Sequence, residues 1–321
     1  MKVEAHAKIN LALDVVKRRE DGYHDLRMIM LPLQLHDTLH VELAQQDELT
    51  CDDERMPLGE NNLIFKALRY LRECWDLQGC FRIHVEKRIP MEAGLAGGSA
   101  DAGAIIRAAL SLNDRESDIS KAARGAKQVG ADVPFCVLDQ SARVEGIGDV
   151  VIPLNDHCDF DILLVKPPTG VSTGKAYQTL DFTCAVHPDI DRVQQCLLND
   201  DYTQLCKSLG NTLEQSAFLL NPEVAKLKQS LISNGVDAAL MSGSGSTVFA
   251  LGRDRRLLLD LQQLYAEKGY FNYITYLRSM FGKLQEKYQE SPDFQSQEPN
   301  GHSAHHASLQ NRISLLREVG Q

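Results

Sequence analysis

The chain has 321 residues, of which 43% are hydrophobic and 24% are charged, and its formal net charge is −10. This length allows about two globular domains, and the acidic balance argues against a nucleic-acid surface, which needs a basic face. No apolar run approaches the roughly 20 residues that span a bilayer, and no signal peptide is recognisable, so we expect a cytoplasmic protein with neither nucleic acid nor a membrane as a partner.

The eight cysteines are scattered along the chain without any Cys-x-x-Cys pair. This usage is typical of reduced, structural thiols in a reducing compartment. The sequence therefore predicts neither a cysteine-based zinc site nor a disulfide framework.

The first predicted element is a β-strand with one buried face. One residue in two is apolar, at Val3, Ala5, Ala7, Ile9, Leu11, Leu13 and Val15. The opposite face carries His6, Lys8, Asn10 and Asp14. Either this face is solvated, or Lys8 and Asn10, about 7 Å apart, present a cation and an amide to a phosphate or a reacting hydroxyl. The alternation leaves both interpretations open.

A tight turn follows at the Asp-Gly pair of residues 21–22, with Tyr23 and His24 just past its tip. An aromatic ring and an imidazole at this position have two plausible uses. Either they stack on and hydrogen-bond a base, or they pack the turn against the sheet.

Strand-like segments come next at residues 28–35 and 38–43, and Pro32 assigns the first of them to a sheet edge or a bulge. Asn61 or Asn62 then caps an amphipathic helix. The apolar residues that we expect on the buried side of this helix are Leu63, Ile64, Ala67, Leu68 and Leu71.

The glycine-rich stretch PMEAGLAGGSADAGAIIRAAL, residues 90–110, joins a predicted strand to a predicted helix. Its glycines allow backbone amides to converge on a small anion, and Ser99 and Asp101 stand where an N-cap would. The stretch is neither a Walker A loop nor a dinucleotide fingerprint. It is either a phosphate cradle at a helix N-terminus or only a tight strand-to-helix turn.

Asp132, in the segment GADVPFC, lies two residues before Pro134. One interpretation makes it the N-cap of a short helix. The other makes it a carboxylate near the glycine-rich stretch, where it accepts or orients a hydroxyl proton during phosphoryl transfer. The two roles are compatible.

A composition break at residues 155–159 predicts a domain boundary, followed by a buried strand at residues 160–165. The serine-glycine run at residues 242–246 is either a plain hairpin or a loop that closes over a substrate phosphate. Residues 282–321 are polar and low in aliphatics, which predicts a tail with a short C-terminal helix. The tail contains three histidines that we interpret as solvated, His302, His305 and His306.

The order of these motifs resembles one enzyme superfamily. The pattern Pro-x-x-x-Gly-Leu-x-x-Gly-Ser-Ala at residues 90–100 is similar to the ATP-binding motif of the galactokinase, homoserine kinase, mevalonate kinase and phosphomevalonate kinase (GHMP) superfamily. Together with AKINLALDVVKRREDGYHDL, GADVPFC and ALMSGSGSTVFAL, it makes residues 2–277 strongly resemble the 4-diphosphocytidyl-2-C-methyl-D-erythritol kinase family. Three positions depart from the family pattern, Ala100, Gly174 and Ser246.

The resemblance implies an α+β protein with the two-domain GHMP kinase fold. The N-terminal ATP-binding domain, at residues 1–155, would be like domain 2 of ribosomal protein S5, and the C-terminal α+β domain would occupy residues 156–281, followed by the tail. It further implies ATP-dependent phosphorylation of the 2-hydroxyl of 4-diphosphocytidyl-2-C-methyl-D-erythritol in the non-mevalonate isoprenoid route. The implied cofactors are ATP and Mg²⁺, and the implied assembly is a monomer or homodimer. The alternatives are another GHMP kinase or a non-catalytic nucleotide or sugar-phosphate sensor.

The resemblance also implies roles for individual residues. Asp132 would be the catalytic base, and Lys8 would stabilise the reacting oxygen or phosphoryl group. Asn62 would lie beside the adenine, and the ATP phosphates would be wrapped by Pro90, Met91, Glu92, Ala93, Gly94, Leu95, Ala96, Gly97, Gly98 and Ser99. The substrate-binding residues would be Asn10 at the methylerythritol moiety and, around the cytosine, Tyr23, His24 and Tyr177. No metal ligand is implied.

Overall fold

The computed structural model describes residues 1–156, 158 and 160–278, and within them the strands form one sheet of seven and one of four. The strands are β1 (Lys2–Arg18), β2 (His24–Ala44), β3 (Glu48–Cys51), β4 (Cys80–Glu86), β5 (Ala142–Gly146), β6 (Val150–Pro153), β7 (Asp161–Lys166), β8 (Gly210–Asn211), β9 (Ala238–Met241), β10 (Val248–Gly252) and β11 (Phe271–Thr275). The α-helices are α1 (Leu63–Trp75), α2 (Gly97–Ser111), α3 (Ile119–Gly125), α4 (Val133–Leu138), α5 (Thr173–Thr179), α6 (Ile190–Leu198), α7 (Tyr202–Ser208), α8 (Glu214–Leu220), α9 (Pro222–Ser233) and α10 (Arg255–Glu267). The smaller sheet has the order β11-β7-β10-β9.

The antiparallel β1–β2 ladder is the longest pairing in the larger sheet. The apolar face of β1 is buried as the alternation predicts, with Ile9 and Leu11 fully inaccessible. The polar face is buried as well, since Lys8 is 4% exposed and Asn10 is 0% exposed. The interpretation of this face as solvated is therefore wrong. Loops from distant parts of the chain lie over it, which the alternation of β1 alone does not reveal.

β2 is one continuous strand, whereas the sequence predicts two segments, at residues 28–35 and 38–43, with Pro32 placing the first at an edge or a bulge. On one side, Pro32 pairs with Lys8 next to a register shift in β1. On the other side, β5 pairs with residues 26–30 and β4 pairs with residues 38–44, so Pro32 falls between the two ladders. Because neither ladder requires an N–H there, proline does not interrupt the strand.

The glycine-rich stretch connects β4 to α2 as predicted; we call residues 90–96 the glycine loop. α2 begins at Gly97, after Ala96 in the left-handed conformation (φ 59°). Ser99 and Asp101 therefore lie inside the helix, and the prediction that they cap it is wrong. The first amides of a helix have no intrahelical acceptor, and here no side chain caps them either.

The serine-glycine run forms the turn between the antiparallel strands β9 and β10, and we call residues 242–247 the hairpin loop. This loop also packs against the glycine loop. The Thr247 N–H donates to the Ala93 carbonyl (3.2 Å), and the Ser242 hydroxyl donates to the Gly94 carbonyl (3.0 Å). The two elements come from opposite halves of the sequence and meet at one surface.

The cysteines, the search for membrane-spanning helices, the domain boundary and the tail concern the chain as a whole. All eight cysteines lie among the described residues and are free, as expected. Within the described part of the chain, no helix is long and apolar enough to cross a membrane. The domain boundary at residue 155 stays a prediction, and the tail with its short helix lies outside the described residues.

Candidate active site

A cavity of about 870 Å³ lies over the polar face of β1. The glycine loop and the N-terminus of α2 line one part of it, and the hairpin loop and the start of α5 line another. Lys8, Asn10 and Asp132 contribute to its wall together with Tyr177. Charged, amide and aromatic side chains thus face one space next to an uncapped helix N-terminus.

Gly94 allows the two loops to approach one another. Its φ is 72°, and a Cβ atom there would lie 2.2 Å from the carbonyl oxygen of Ser242. Any side chain would therefore separate the glycine loop from the hairpin loop. The adjoining end of α2 offers backbone amides and the positive end of the helix dipole, an arrangement that binds phosphate well.

Lys8 connects β1 to this candidate phosphate-binding region. Its backbone N–H donates to the Leu95 carbonyl (3.1 Å), and its ammonium donates to Asn10 Oδ1 (2.7 Å). The ammonium also lies 3.7 Å from Asp132 Oδ2. Because a lysine has three donors, Lys8 retains capacity for an anion in the cavity.

Asp132 occupies the N-cap position of α4, but its side chain makes no capping hydrogen bond. The carboxylate lies near the Lys8 ammonium and lines the cavity. About a third of the side chain is exposed, at 32%. A carboxylate that is ion-paired yet accessible from the cavity is placed to accept a proton from a bound hydroxyl.

A second buried lysine, Lys87, lies between two carboxylates. Its ammonium donates to Asp37 and to Asp101 Oδ2 (2.8 Å for the latter). Asp37 also accepts the backbone N–H groups of Arg88 and Ile89 at 2.6 and 2.7 Å. These contacts join β2, the segment before the glycine loop, and α2. We call Asp37, Lys87 and Asp101 the lysine clamp.

Burial raises the pKa of Asp101 to about 7, and the charge of Asp37 adds to this effect against the opposing influence of Lys87. One oxygen of Asp101 has no hydrogen-bond partner among the described residues. The side chain that the sequence suggested as a helix cap thus belongs to a buried electrostatic network.

Three aromatic rings form a cluster, of which only Tyr177 lines the cavity. The His24 ring lies 4.9 Å from that of Tyr177 and 6.2 Å from that of Phe182, centre to centre. Burial, with a contribution from Arg18, lowers the pKa of His24, which favours the neutral imidazole. A neutral imidazole offers one donor and one acceptor, which suits the edge of a base. Tyr23 is 61% exposed and stands outside this cluster.

Known proteins resemble the chain over most of its length. A 4-diphosphocytidyl-2-C-methyl-D-erythritol kinase of Exiguobacterium sibiricum is 41% identical over 251 residues, which cover 78% of this chain and 88% of the relative. The kinase of the same name from Lachnospira eligens is 36% identical over 272 residues, which cover 84% of this chain and 94% of the relative. The chain belongs to the 4-diphosphocytidyl-2-C-methyl-D-erythritol kinase family.

Domain models and a solved structure agree with this assignment. The model of the GHMP kinases N terminal domain matches residues 62–140, and that of the GHMP kinases C terminal domain matches residues 189–267. A crystal structure of 4-(cytidine 5′-diphospho)-2C-methyl-D-erythritol kinase superposes with a TM-score of 0.71 at 30% identity, over 86% of this chain and 99% of that chain. The predicted α+β GHMP kinase fold is thereby confirmed, and as a GHMP kinase the chain uses ATP.

The cavity of this family member brings together many of the predicted site residues. These are Lys8, Asn10, Asp132, Tyr177, Pro90, Met91, Glu92, Ala93, Gly94, Ala96, Gly97, Gly98 and Ser99. Leu95 is fully buried and reaches the site only through its carbonyl bond to Lys8. The roles of the individual residues stay predictions.

Asn62 is placed differently from the other predicted ATP-binding residues. Its side chain caps α1 by accepting the Ile64 N–H (2.9 Å), which confirms one of the two predicted caps. Its amide group donates to the Pro57 carbonyl (2.7 Å). Both ends of the side chain therefore have partners within the protein, and its position beside the adenine stays a prediction.

Local sequence patterns do not predict the lysine clamp or the position of Phe182. Lys87 lies only three residues before Pro90, but nothing in its local pattern indicates that Asp37, 50 residues earlier, is its partner. Phe182 is a single aromatic residue without a periodic context. Their sequence neighbourhoods carry no signal, because both features depend on contacts between distant segments.

Proposed function

We propose that this chain transfers the γ-phosphoryl group of ATP to the 2-hydroxyl of 4-diphosphocytidyl-2-C-methyl-D-erythritol, giving the 2-phosphate and ADP in the non-mevalonate isoprenoid route. Family membership supports the reaction. The observation that carries the residue roles is the Lys8–Asp132 pair, 3.7 Å apart in a cavity that also holds the glycine loop.

ATP would bind with its phosphates at the glycine loop and the N-terminus of α2. The uncapped amides and the helix dipole favour phosphate charge there. Close packing of Gly94 on Ser242 fixes the loop before the nucleotide arrives, so little ordering remains to be done on binding. This pre-organisation contributes to positioning, which is a large part of catalysis of phosphoryl transfer.

Asp132 would take the proton of the 2-hydroxyl as its oxygen attacks the γ-phosphorus. A new P–O bond forms, the bond to the β-phosphate oxygen breaks, and ADP leaves with the electron pair. Lys8 would stabilise the charge on the transferring group with the donors that Asn10 does not use. A positioned general base supplies typically about 10²- to 10⁴-fold in rate.

The acceptor would lie on the side of the cavity that Tyr177 lines. His24 would hydrogen-bond the cytosine edge, Tyr23 and Tyr177 would pack on its faces, and Asn10 would contact the methylerythritol moiety. The lowered pKa of His24 and its contact with Tyr177 support this arrangement. Tyr23 would have to turn inward from its exposed position when the substrate binds.

Mg²⁺ is expected to accompany ATP and to neutralise phosphate charge. The cavity wall offers oxygen donors from Glu92, Ser99 and Asp132, a donor type that suits this ion. We expect phosphates and water to provide most of its coordination. We further propose that the enzyme acts in the cytoplasm as a monomer or homodimer, which agrees with its free cysteines.

The test is ATP turnover by the purified full chain, with Mg²⁺ present and three acceptors supplied separately: the cytidine diphosphate methylerythritol, mevalonate and homoserine. We expect turnover only with the cytidylyl acceptor. Turnover confined to another acceptor would retain the fold and refute the cytosine site. Ligand binding without turnover on any acceptor would instead favour a non-catalytic sensor.

A further inference from the structure

A second polar cluster lies in the β1–β2 ladder, on the N-terminal side of Lys8. Glu4 and His6 are two residues apart on β1, and His36 pairs directly with His6 across the ladder. The two imidazole rings are 5.3 Å apart, centre to centre. One ligand atom from each of the three side chains lies within 4.8 Å of the other two.

The hydrogen bonds of the two histidines fix their tautomers. His6 Nδ1 lies 2.8 Å from the Leu33 carbonyl oxygen, and His36 Nδ1 lies 2.7 Å from the Gln34 carbonyl oxygen. A carbonyl only accepts, so each Nδ1 carries a hydrogen and each neutral ring has its lone pair on Nε2.

Both of these Nε2 atoms face the carboxylate of Glu4. His6 Nε2 is 3.2 Å from Glu4 Oε2, and His36 Nε2 is 3.8 Å from Glu4 Oε1. Three acceptors therefore converge on one small space. These acceptors need a donor or a cation between them, and a proton on a histidine, a water molecule or a metal ion would each meet that need.

We propose that Glu4, His6 and His36 bind a divalent transition-metal ion, with zinc as the best fit. Zinc bonds to imidazole and carboxylate are ~2.0–2.2 Å long, so neighbouring ligand atoms of a tetrahedral site are ~3.4 Å apart. The separations of 3.2 and 3.8 Å involve the two different oxygens of Glu4, and one ligand atom from each side chain lies within 4.8 Å of the other two. A rotation of the exposed Glu4 carboxylate would bring one oxygen beside both imidazoles. In addition, each histidine donates its other ring N–H to a carbonyl, as metal-binding histidines do.

A further carboxylate near the cluster, that of Asp139, is committed to other partners, so water would be the fourth ligand of a bound ion. Asp139 Oδ2 is 4.0 Å from His6 Nε2, but it is also paired with Arg107 (3.6 Å) and Arg278 (3.0 Å). Its charge is thus already compensated. The side chain of Glu4 is 49% exposed, so an ion reaches the cluster from solvent. The bound metal would join β1 to β2 next to the register shift at Lys8, independently of phosphoryl transfer.

The experiment is a titration of the full chain, freed of metal by a chelator and kept reduced, with Zn²⁺ in a calorimeter and with Co²⁺ by absorption. We expect one site per chain, without the thiolate charge-transfer band that cysteine ligands would give. Glu4→Gln and His36→Gln should each weaken this site at least tenfold.

His40→Gln is the matched control, because His40 lies in the same ladder and contacts Glu86 (2.7 Å) without belonging to the cluster. It should bind zinc like the wild type. Any background from cysteines or from the tail histidines is common to all of these proteins and cancels in the comparison.

Melting curves with and without Zn²⁺ provide the second measurement. Zinc should raise the melting temperature of the wild type and of His40→Gln, but not that of Glu4→Gln, whose exposed side chain can be replaced without loss of folding. Equal zinc binding by the wild type and Glu4→Gln, or no specific site in the wild type, would overturn the proposal. A proton or a water molecule would then satisfy the three acceptors.

Discussion

Lys8 and Lys87 are both buried beside the same cavity, but their surroundings are opposite. Lys87 donates to two carboxylates of the lysine clamp, while Lys8 contacts one amide oxygen and lies 3.7 Å from one carboxylate. Burial alone would lower the pKa of Lys87, but Asp101 and Asp37 raise it above its ordinary value. The number of fixed partners, rather than burial, distinguishes a lysine that stabilises the fold from one available to a substrate.

The largest effect is expected for Lys87→Met, which leaves two carboxylates buried without their cation. We expect the free energy of unfolding to fall by about 3–5 kcal/mol. Chemical denaturation of the full chain measures it. Lys127→Met is the control, since it removes only an exposed pair with Asp149, for which we expect a change of ~0–1 kcal/mol. Similar stability losses in the two variants would show that the clamp does not hold the fold.

Lys8→Met should have the opposite pattern, a large effect on rate and a smaller one on stability. We expect turnover to fall by roughly 10²–10³-fold, because a donor to the transferring group is lost. Asp132, its ionic partner, is partly exposed and so tolerates the loss. Steady-state kinetics and thermal melting of Lys8→Met are compared with those of Lys17→Met, which replaces an exposed lysine on the same strand. A stability loss equal to that of Lys87→Met, with turnover retained, would show that Lys8 stabilises the fold and does not act on the substrate.

Asp132→Ala tests the partner of Lys8. We expect turnover to fall at least about 100-fold while the binding of ATP and acceptor stays within a few-fold. Asp132→Asn keeps the size of the side chain but not its basicity, so it should be nearly as slow. Near-normal turnover by either variant would contradict the assignment of Asp132 as the base.

His24→Ala tests whether a residue on the acceptor side of the cavity contacts substrate, as proposed for Lys8, or supports the fold, as Lys87 does. The Michaelis constant for the cytidylyl acceptor should rise roughly tenfold, the cost of about one good hydrogen bond, while that for ATP changes little. His40→Ala, distant in the ladder, should change neither constant. An equal rise for both substrates would mean that His24 supports the whole cavity rather than the cytosine.

The last expected effect is a pH dependence that also arises in the lysine clamp. Because the pKa of Asp101 is raised to about 7 in the folded protein, the folded state keeps a proton that the unfolded chain has released. The free energy of unfolding should therefore fall as the pH rises from about 4 to 7. Asp101→Asn should remove this part of the dependence. Parallel curves for the wild type and Asp101→Asn across that range would show that Asp101 does not titrate there.

The fold and the site were predictable to different extents. The strand of Lys8, the loop-to-helix connection and the residue types of the site follow from local periodicity and from the motif resemblance. The continuity of β2 across residues 36–37 and the start of α2 at Gly97 do not follow from local patterns. Pairing with β1 and β4 keeps β2 continuous, and α2 begins two residues before Ser99 without a side-chain cap.

Local spacing predicts which residues are neighbours along each strand and loop, and the order of the motifs predicts the kinase family. Only the tertiary structure decided that the polar face of β1 is buried, that Gly94 packs on Ser242, and that Asp101 serves Lys87 rather than a helix end. The physical reason is that burial and charge compensation depend on which distant segments meet. Spacing along the chain sets the direction of a side chain, but it does not set what that side chain faces.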